Sequence, residues 1–336
     1  MTTAESGDSL GGGAAGLAFL EATKTYPGRK APAVAGLTLE IPASEICVLI
    51  GPSGSGKTTA LQLVNRLIPM TSGDITIDGR SVGTLDETEL RRGIGYVFQQ
   101  IGLFPHMTVE GNIGTVPRLL GWPKERIRAR AQELVELVGL DPEEDLHRYP
   151  SQFSGGQQQR IGVARAMAAD QPLMLMDEPF GAVDPIARDR LQDDFLRLHA
   201  EVPKTVVFVT HDIDEAIKMG TRIAILRDGE LVQYDTPDRI LADPANEFVA
   251  DFVGADRGLK RLRVWTLSEV ELEPPGEGTP GPAAPEDTSL RDALSQMLVE
   301  GTERLTVVDA SGAPKGTISL ETITGLIGPE KRTVEV

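Results

Sequence analysis

The sequence has a single cysteine, and its basic residues are too few to balance its acidic ones. Cys47 is the only cysteine among 336 residues, so no disulfide can form within the chain, which favours a reducing compartment. The 50 acidic residues exceed the 33 lysines and arginines and leave a formal net charge of -17. Phosphate backbones are bound by clustered Lys and Arg, so this balance argues against nucleic acid as a partner. It does not exclude a phosphate group bound through backbone amides.

Long apolar runs are also missing. A membrane helix needs roughly 20 apolar residues, whereas the longest runs here are short and strand-like, such as Ile46–Ile50 and Val206–Val209. Residues 1–16 are rich in Gly, Ser and Ala and have no basic stretch before a long apolar one, so we expect a disordered lead-in rather than a secretory signal. The length predicts one large domain and a smaller one.

Three short apolar strands are each followed by residues that can do chemistry. Ile46–Ile50 runs into a glycine-rich loop, Leu173–Met176 ends at Asp177, and Val206–Thr210 ends at His211. Continuously apolar strands are typical of a parallel sheet that is covered on both faces, and ligands bind such sheets at the carboxyl ends of the strands. The sequence therefore predicts an α/β fold with its site at that edge.

The loop after the first strand fits the phosphate-binding pattern G-x-x-x-x-G-K-T, in which backbone N–H groups wrap phosphates at a helix N-terminus. Lys57 is expected to reach the β- and γ-phosphates of a nucleotide, and the Thr58 hydroxyl to bind Mg²⁺. A chance glycine turn is the alternative, and the strand before the loop and the helix after it argue against that. The nucleotide-binding residues predicted here are Gly51, Pro52, Ser53, Gly54, Ser55, Gly56, Lys57, Thr58 and Thr59.

Two adjacent acids follow the second strand. A nucleotide with bound Mg²⁺ needs a carboxylate to help hold the metal, and Asp177 suits that role. Glu178 is then placed to polarise an attacking water molecule. Paired acids at a strand end are often only a solvated turn, but after a phosphate-binding loop the functional interpretation is favoured.

A second glycine-rich segment has the sequence FSGGQQQR from Phe153. Ser154, Gly155, Gly156 and Gln157 open a predicted helix and so offer another anion-binding N-terminus. One nucleotide does not need two such anion-binding segments. The economical explanation is that this one serves a nucleotide held by another subunit, with ATP between two chains arranged head to tail. By itself, the segment could also be a plain helix start.

With these motifs, the stretch from Leu17 to about Gly254 resembles the ABC ATPase family. The resemblance implies a P-loop NTPase (RecA-like) core with a helical subdomain at about 100–162, and it implies ATP and Mg²⁺ as ligands. Gln99 would help to bind Mg²⁺ and sense a membrane partner, and His211 would contact the γ-phosphate, so that both join Glu178 in catalysis.

The same resemblance gives further residues a role. Tyr26 would stack on adenine, although it could instead be a strand aromatic packed in the core. Asp184 would be the acid of the D-loop, and residues 154–157 would be the signature that acts across a dimer. Two departures from the family pattern are visible, since Phe153 replaces the usual leucine and Gly181 stands where many members have serine.

The chain has one cassette, no heptad run and no membrane span, which leaves a separate motor that docks on membrane subunits. The segments 65–68, 97–109 and 248–262 are similar to those of importers of glycine betaine, choline and carnitine. This implies a motor at the cytoplasmic face of the membrane, with a permease, a second copy of the ATPase and, indirectly, a solute-binding protein as partners. The alternatives are a motor for an amino acid or polyamine, and an ABC ATPase outside transport.

The last part of the chain differs in character. We expect an acidic, Pro- and Gly-rich linker at 255–286, then a small α+β unit at 287–327 and a tail at 328–336. Within the unit, a helix follows Thr288 or Ser289 as N-cap, and strands follow near 305–308 and 316–320. The unit resembles a single CBS motif, of which relatives usually carry two, and this implies a regulatory role.

Overall fold

The computed structural model describes residues 13–99, 102–274 and 282–326. These form two compact units, one made of the described residues up to 212 together with 219–234, the other of 213–218 together with the described residues from 235 onward. The predicted lead-in falls mostly outside the described residues, as does the whole predicted tail. Ala15, however, is buried, and the backbone N–H of Gly16 donates to Asp78 Oδ1 at 2.7 Å. The end of the lead-in is therefore packed rather than disordered.

Two sheets organise the first unit. An antiparallel sheet has the order β2-β1-β4-β5, and a second sheet of six strands has the order β10-β9-β3-β8-β7-β6. Both sheets contribute to one hydrophobic core. The strands are, in chain order, β1 (Leu17–Lys24), β2 (Val34–Ile41), β3 (Ile46–Ile50), β4 (Ser72–Ile77), β5 (Arg80–Ser81), β6 (Ile94–Val97), β7 (Leu173–Asp177), β8 (Thr205–Val209), β9 (Arg222–Arg227) and β10 (Glu230–Asp235).

The predicted parallel strands are confirmed. β3 pairs in parallel with β8, and β8 pairs in parallel with β7. All five residues of β3 are buried, as are all five of β7 and of β8, which explains why their sequences are continuously apolar. Leu49 lies opposite Val209, and Val209 lies opposite Asp177. The chain segments that follow the three strands therefore leave the sheet along the same edge.

Helices occupy the stretch between β6 and β7, as the sequence predicts for about 100–162. Residues 100 and 101 lie outside the described residues, and the described part of this stretch contains helices and no strand. The helices of the chain up to residue 219 are α1 (Lys57–Val64), α2 (Glu87–Arg92), α3 (Val109–Ile113), α4 (Thr115–Leu119), α5 (Lys124–Leu137), α6 (Pro142–Asp145), α7 (Gly155–Ala166), α8 (Pro185–Glu201) and α9 (Ile213–Met219).

The second unit has a three-stranded sheet in the order β11-β12-β13, with β11 parallel and β13 antiparallel to β12. The predicted helix is confirmed, and Ser289 is its N-cap, because its Oγ accepts a hydrogen bond from the N–H of Asp292. The remaining elements are α10 (Pro237–Ala242), α11 (Glu247–Val253), α12 (Arg257–Arg261), β11 (Ala283–Pro285), α13 (Leu290–Glu300), β12 (Arg304–Val308), β13 (Pro314–Ser319) and α14 (Leu320–Gly325).

The linker expected at 255–286 is not simply an exposed connection. Leu267 and Ala284 are buried in the hydrophobic core of the second unit, and residues 275–281 lie outside the described residues. Asp238 of α10 accepts hydrogen bonds from Arg261 Nε at 2.6 Å and from Trp265 Nε1 at 2.9 Å. These bonds join the segment after 254 to the helices before it. Residues 235–254 belong to the same compact unit as the segment after 254, and the predicted domain boundary near Gly254 stays a prediction.

In the described residues, no helix combines the length and the apolar character needed to cross a membrane.

We predict that Cys47 is inert in the native protein. Its side chain is fully buried in β3, and burial raises the pKa of its thiol far above the usual range, so the reactive thiolate is scarce. Titration with a chromogenic thiol reagent should detect no thiol in native protein and one per chain in denaturant. Leu20→Cys adds a thiol at an exposed position of β1 and should react in the native state. Rapid native modification of Cys47 would contradict the packing of β3.

Candidate nucleotide site

The loop between β3 and α1 can be built only with glycine at two positions. Gly51 has φ +151°, and a Cβ placed there would lie 2.0 Å from the carbonyl oxygen of Leu226. Gly56 has φ +101°, and its Cβ would lie 2.3 Å from the carbonyl oxygen of Ala33. The loop is therefore pressed against neighbouring backbone, and both glycines are required by geometry.

The start of α1 is suited to an anion. Gly56 is the N-cap and supplies no side-chain acceptor, so the first N–H groups of the helix lack a capping partner. Lys57 is 7% exposed, and its ammonium donates to the carbonyl oxygens of Gly51 at 2.8 Å and of Pro52 at 3.0 Å. Burial lowers the pKa of Lys57, and the nearby carboxylates oppose this shift. A buried cation at a helix start whose first N–H groups have no side-chain cap fits a phosphate chain.

Thr58 and Asp177 form the next part of the site. The Thr58 hydroxyl donates to Asp177 Oδ1 at 3.0 Å, and Asp177 is 4% exposed at the end of β7. Burial raises the pKa of Asp177, while the hydrogen bond from Thr58 lowers it. Among the described residues no group of three or more His, Cys, Asp and Glu side chains is arranged to hold a metal. A hydroxyl and a carboxylate still suit Mg²⁺, which commonly completes its octahedron with waters and substrate phosphates.

Glu178 lies beside this pair, with its carboxylate between two predicted catalytic side chains. Gln99 Nε2 donates to Glu178 Oε2 at 3.3 Å, and His211 Nδ1 lies 3.4 Å from Oε1. The backbone of Glu178 has φ +48°, a left-handed conformation that costs on the order of 1–3 kcal/mol in a non-glycine residue. Its N–H donates to the carbonyl oxygen of Val209 at 3.0 Å. The three residues predicted to act in catalysis therefore meet at the sheet edge.

Tyr26 lies close to the end of the phosphate-binding loop. Its hydroxyl is 3.5 Å from Thr59 Oγ1, and the ammonium of Lys24 lies 5.2 Å from the centre of its ring. β1 ends at Lys24, and Tyr26 is only half-buried. Tyr26 is therefore not a strand aromatic of the core, which was the alternative interpretation of this residue.

The second glycine-rich segment starts α7. Ser154 is exposed and is the N-cap, with its Oγ accepting from the N–H of Gln157 at 3.3 Å while Gln157 Oε1 accepts from the N–H of Ser154 at 2.9 Å. Within the described ranges, no hydrogen bond joins these residues to 51–59.

Asp184 is likewise a helix cap, since its Oδ1 accepts from the N–H of Ala187 at 3.0 Å at the start of α8.

The two departures from the family pattern are accommodated. Phe153 is 7% exposed, and its ring lies 4.3 Å from the guanidinium of Arg148. A Cβ on Gly181 would meet the carbonyl oxygen of Glu178 at 3.5 Å, which is ordinary van der Waals contact. The glycine is therefore not required by packing.

Sequence reasoning missed Asn112. It is fully buried at the start of the helical stretch; its Oδ1 accepts from the N–H of Phe104 at 2.7 Å, and its Nδ2 donates to the carbonyl oxygens of Phe104, Met107 and Thr108. Asn112 thereby holds the segment from Phe104 to Thr108 in place. A polar residue in a helical pattern gives no signal of this role, because a solvent-facing asparagine has the same pattern.

These features define a P-loop nucleotide-binding protein with an α/β core. The family model described as ABC transporter matches residues 34–181. A dimeric structure of a bacterial ABC transporter cassette is similar with a TM-score of 0.61 and 37% identity, over 66% of this chain and 98% of that one. A post-hydrolysis dimer of the same cassette, bound to ADP and Pi, is similar with a TM-score of 0.61 and 36% identity over the same shares.

Curated relatives extend over more of the chain. The osmoprotectant import ATP-binding protein OsmV of Salmonella typhimurium is 52% identical over 86% of this chain and 74% of its own length. The carnitine transport ATP-binding protein OpuCA of Listeria monocytogenes is 51% identical over 91% and 76%. The glycine betaine uptake system ATP-binding protein YehX of Escherichia coli is 45% identical over 90% and 97%. The chain belongs to the ABC transporter family as an ATP-binding subunit with ATPase activity.

Proposed function

We propose that this chain hydrolyses ATP to drive the import of quaternary-amine osmoprotectants, such as glycine betaine, choline and carnitine, through a membrane permease. The main support for ATP hydrolysis is the position of the Glu178 carboxylate. It lies between Gln99 and His211, next to the Thr58–Asp177 pair. The solute class is supported by the named solutes of the relatives, since the motor's own residues do not contact the solute. The location that follows is the cytoplasmic face of the membrane.

Each residue of the site has a chemical task in this proposal. The glycine loop and Lys57 bind the phosphates, and Tyr26 stacks on the adenine. Bound Mg²⁺, held by Thr58, Asp177 and Gln99, would neutralise charge on the β- and γ-phosphates.

Glu178 accepts a proton from the attacking water, whose oxygen bonds to the γ-phosphorus as the bond to the ADP oxygen breaks. His211 stabilises the γ-phosphate in that step. The products are ADP and phosphate.

A second copy completes the site. Ser154 to Gln157 and Asp184 would act on the nucleotide of the partner, which is supported by the dimeric cassettes in the comparison and by the exposed position of Ser154. Two chains arranged head to tail then enclose two nucleotides. Permease subunits, and indirectly a solute-binding protein, are the other partners.

Glu178→Gln should bind ATP and stall. The amide keeps the shape of the side chain but cannot accept the proton, so the hydrolysis rate should fall by at least ~10²-fold. In vesicles holding this chain and the membrane subunits that co-purify with it, uptake of labelled glycine betaine should stop as well.

Glu230→Gln, an exposed change in β10, is the matched control and should keep both activities. Near-native hydrolysis by Glu178→Gln would refute the catalytic assignment. ATP-driven uptake of an amino acid or polyamine, with none of glycine betaine, choline or carnitine, would refute the solute class alone.

Gly155→Asp should separate binding from hydrolysis. A Cβ on Gly155 meets nothing within 4 Å, so the variant should fold, yet a carboxylate would repel the partner's phosphates. ATP affinity of the isolated subunit should stay near native, while hydrolysis should fall by ~10²-fold or more. Gly83→Asp serves as control, since Gly83 is exposed in a loop and the nearest atom to a Cβ there would be Ser81 Oγ at 3.4 Å. If Gly155→Asp loses ATP affinity as severely as Lys57→Ala, the arrangement across two chains is wrong.

The second unit is proposed to be regulatory, as a single CBS-like motif. β11, α13, β12, β13 and α14 support this, and the small core favours pairing with the same unit of another chain. Leu305→Asp places a charge in that core, whereas Leu298→Asp changes a side chain that is 67% exposed.

Leu305→Asp should retain ATP hydrolysis but alter the response of vesicle uptake to ionic strength or to adenine nucleotide, and Leu298→Asp should leave the fold of the unit intact. Uptake measured across a salt series decides this. An unchanged response in Leu305→Asp would make the unit a stabilising appendage.

A further inference from the structure

The side chain of Gln159 is buried behind the catalytic carboxylate. It lies in α7, the helix that begins with the signature segment, and is 3% exposed. Its Nε2 donates to the carbonyl oxygen of Glu178 at 2.8 Å, and its Oε1 accepts from the N–H of Ala182 at 2.7 Å. Both ends of one amide thus bind the two ends of a single turn.

That turn carries the strained residue of the site. Glu178 has φ +48°, a conformation that its side chain disfavours, and its carbonyl oxygen also accepts from the N–H of Gly181 at 3.2 Å. A backbone in such a conformation persists only when its surroundings hold it there. Gln159 is the side chain that spans the turn, and its two hydrogen bonds close a ring across it.

The backbone of Glu178 determines where its carboxylate lies. The carboxylate itself is contacted by Gln99 at 3.3 Å and by His211 at 3.4 Å. Both contacts are longer than the two hydrogen bonds that Gln159 makes with the backbone of the turn. His211 has a largely exposed side chain. The shorter and buried bonds thus act on the backbone of Glu178, and the longer contacts act on its carboxylate.

We propose that Gln159 is a positioning residue that holds the Glu178 turn in its left-handed conformation and thereby aims the carboxylate at the attacking water. The inference rests on the proposed role of Glu178 as the base. The same bonds tie the turn to the helix that starts with Ser154, so the signature and the base of one chain are fixed relative to each other.

Gln159→Met tests this, because methionine has nearly the same length and lacks the donor and the acceptor. We expect kcat for ATP hydrolysis to fall by about 10–100-fold, as for a small misplacement of a catalytic group, with KM and ATP affinity near native. Gln158→Met is the matched control. Gln158 is the adjacent, half-buried residue, and its Nε2 donates to the carbonyl oxygen of Phe153 instead. It should keep the native kcat.

Gln159→Glu supplies a readout that general destabilisation would not give. A protonated carboxyl can donate to the carbonyl oxygen of Glu178 and accept from Ala182, as the amide does, whereas a carboxylate can only accept. Burial raises the pKa of the new group. The kcat of Gln159→Glu relative to native protein should therefore recover as pH falls from about 8 to about 6 at a temperature where both proteins stay folded, while that of Gln159→Met should not.

The outcomes separate the inference from the function on which it rests. If Glu178→Gln stops hydrolysis but Gln159→Met keeps the native kcat, the positioning role is refuted and the function stands. A fall in melting temperature with unchanged kcat per folded molecule would also refute it. If Glu178→Gln hydrolyses ATP at the native rate, the proposed function itself fails.

Discussion

The parallel pairing of β3 with β8, and of β8 with β7, is the constraint on which the site depends. These strands pair through buried residues, so the register of the sheet fixes the positions of their ends relative to one another. The phosphate-binding loop, the Asp177–Glu178 pair and His211 follow directly from the three strand ends. The pairing of the strands is thus enough to bring these residues together, although they lie far apart in the chain.

Close backbone contacts then fix the path of the loop between β3 and α1. Gly51 lies against the strand next to β3, and Gly56 lies against the chain at Ala33, so the loop cannot open without breaking its packing. Burying a cation costs free energy, but Lys57 is buried within this loop because backbone carbonyl oxygens accept hydrogen bonds from its ammonium group. The loop is thus held by its backbone contacts and by the hydrogen bonds of Lys57.

The turn at Glu178 illustrates how strain is used. Its left-handed backbone is unfavourable by itself, and it is held by hydrogen bonds to Val209, Gly181 and Gln159. Two of these partners are backbone groups, which any sequence provides. The third is the side chain of Gln159, and its bond joins the turn to α7, the helix that begins after Ser154.

The amino-acid sequence by itself predicted several residues that the structure brings together at the sheet edge, among them Gln99, Glu178 and His211. The apolar runs in β3, β7 and β8 indicate a parallel sheet, and the glycine spacing before Lys57 indicates phosphate binding, because both patterns arise from local backbone requirements. The helix after Ser289 was predictable for the same reason. Only the tertiary structure decided the burial and the hydrogen bonds of Asn112 and Gln159, since a buried polar side chain and an exposed one have the same local pattern. It also decided that Leu267 and Ala284, in a segment of linker-like composition, belong to a core, because burial depends on partners that are distant in the chain.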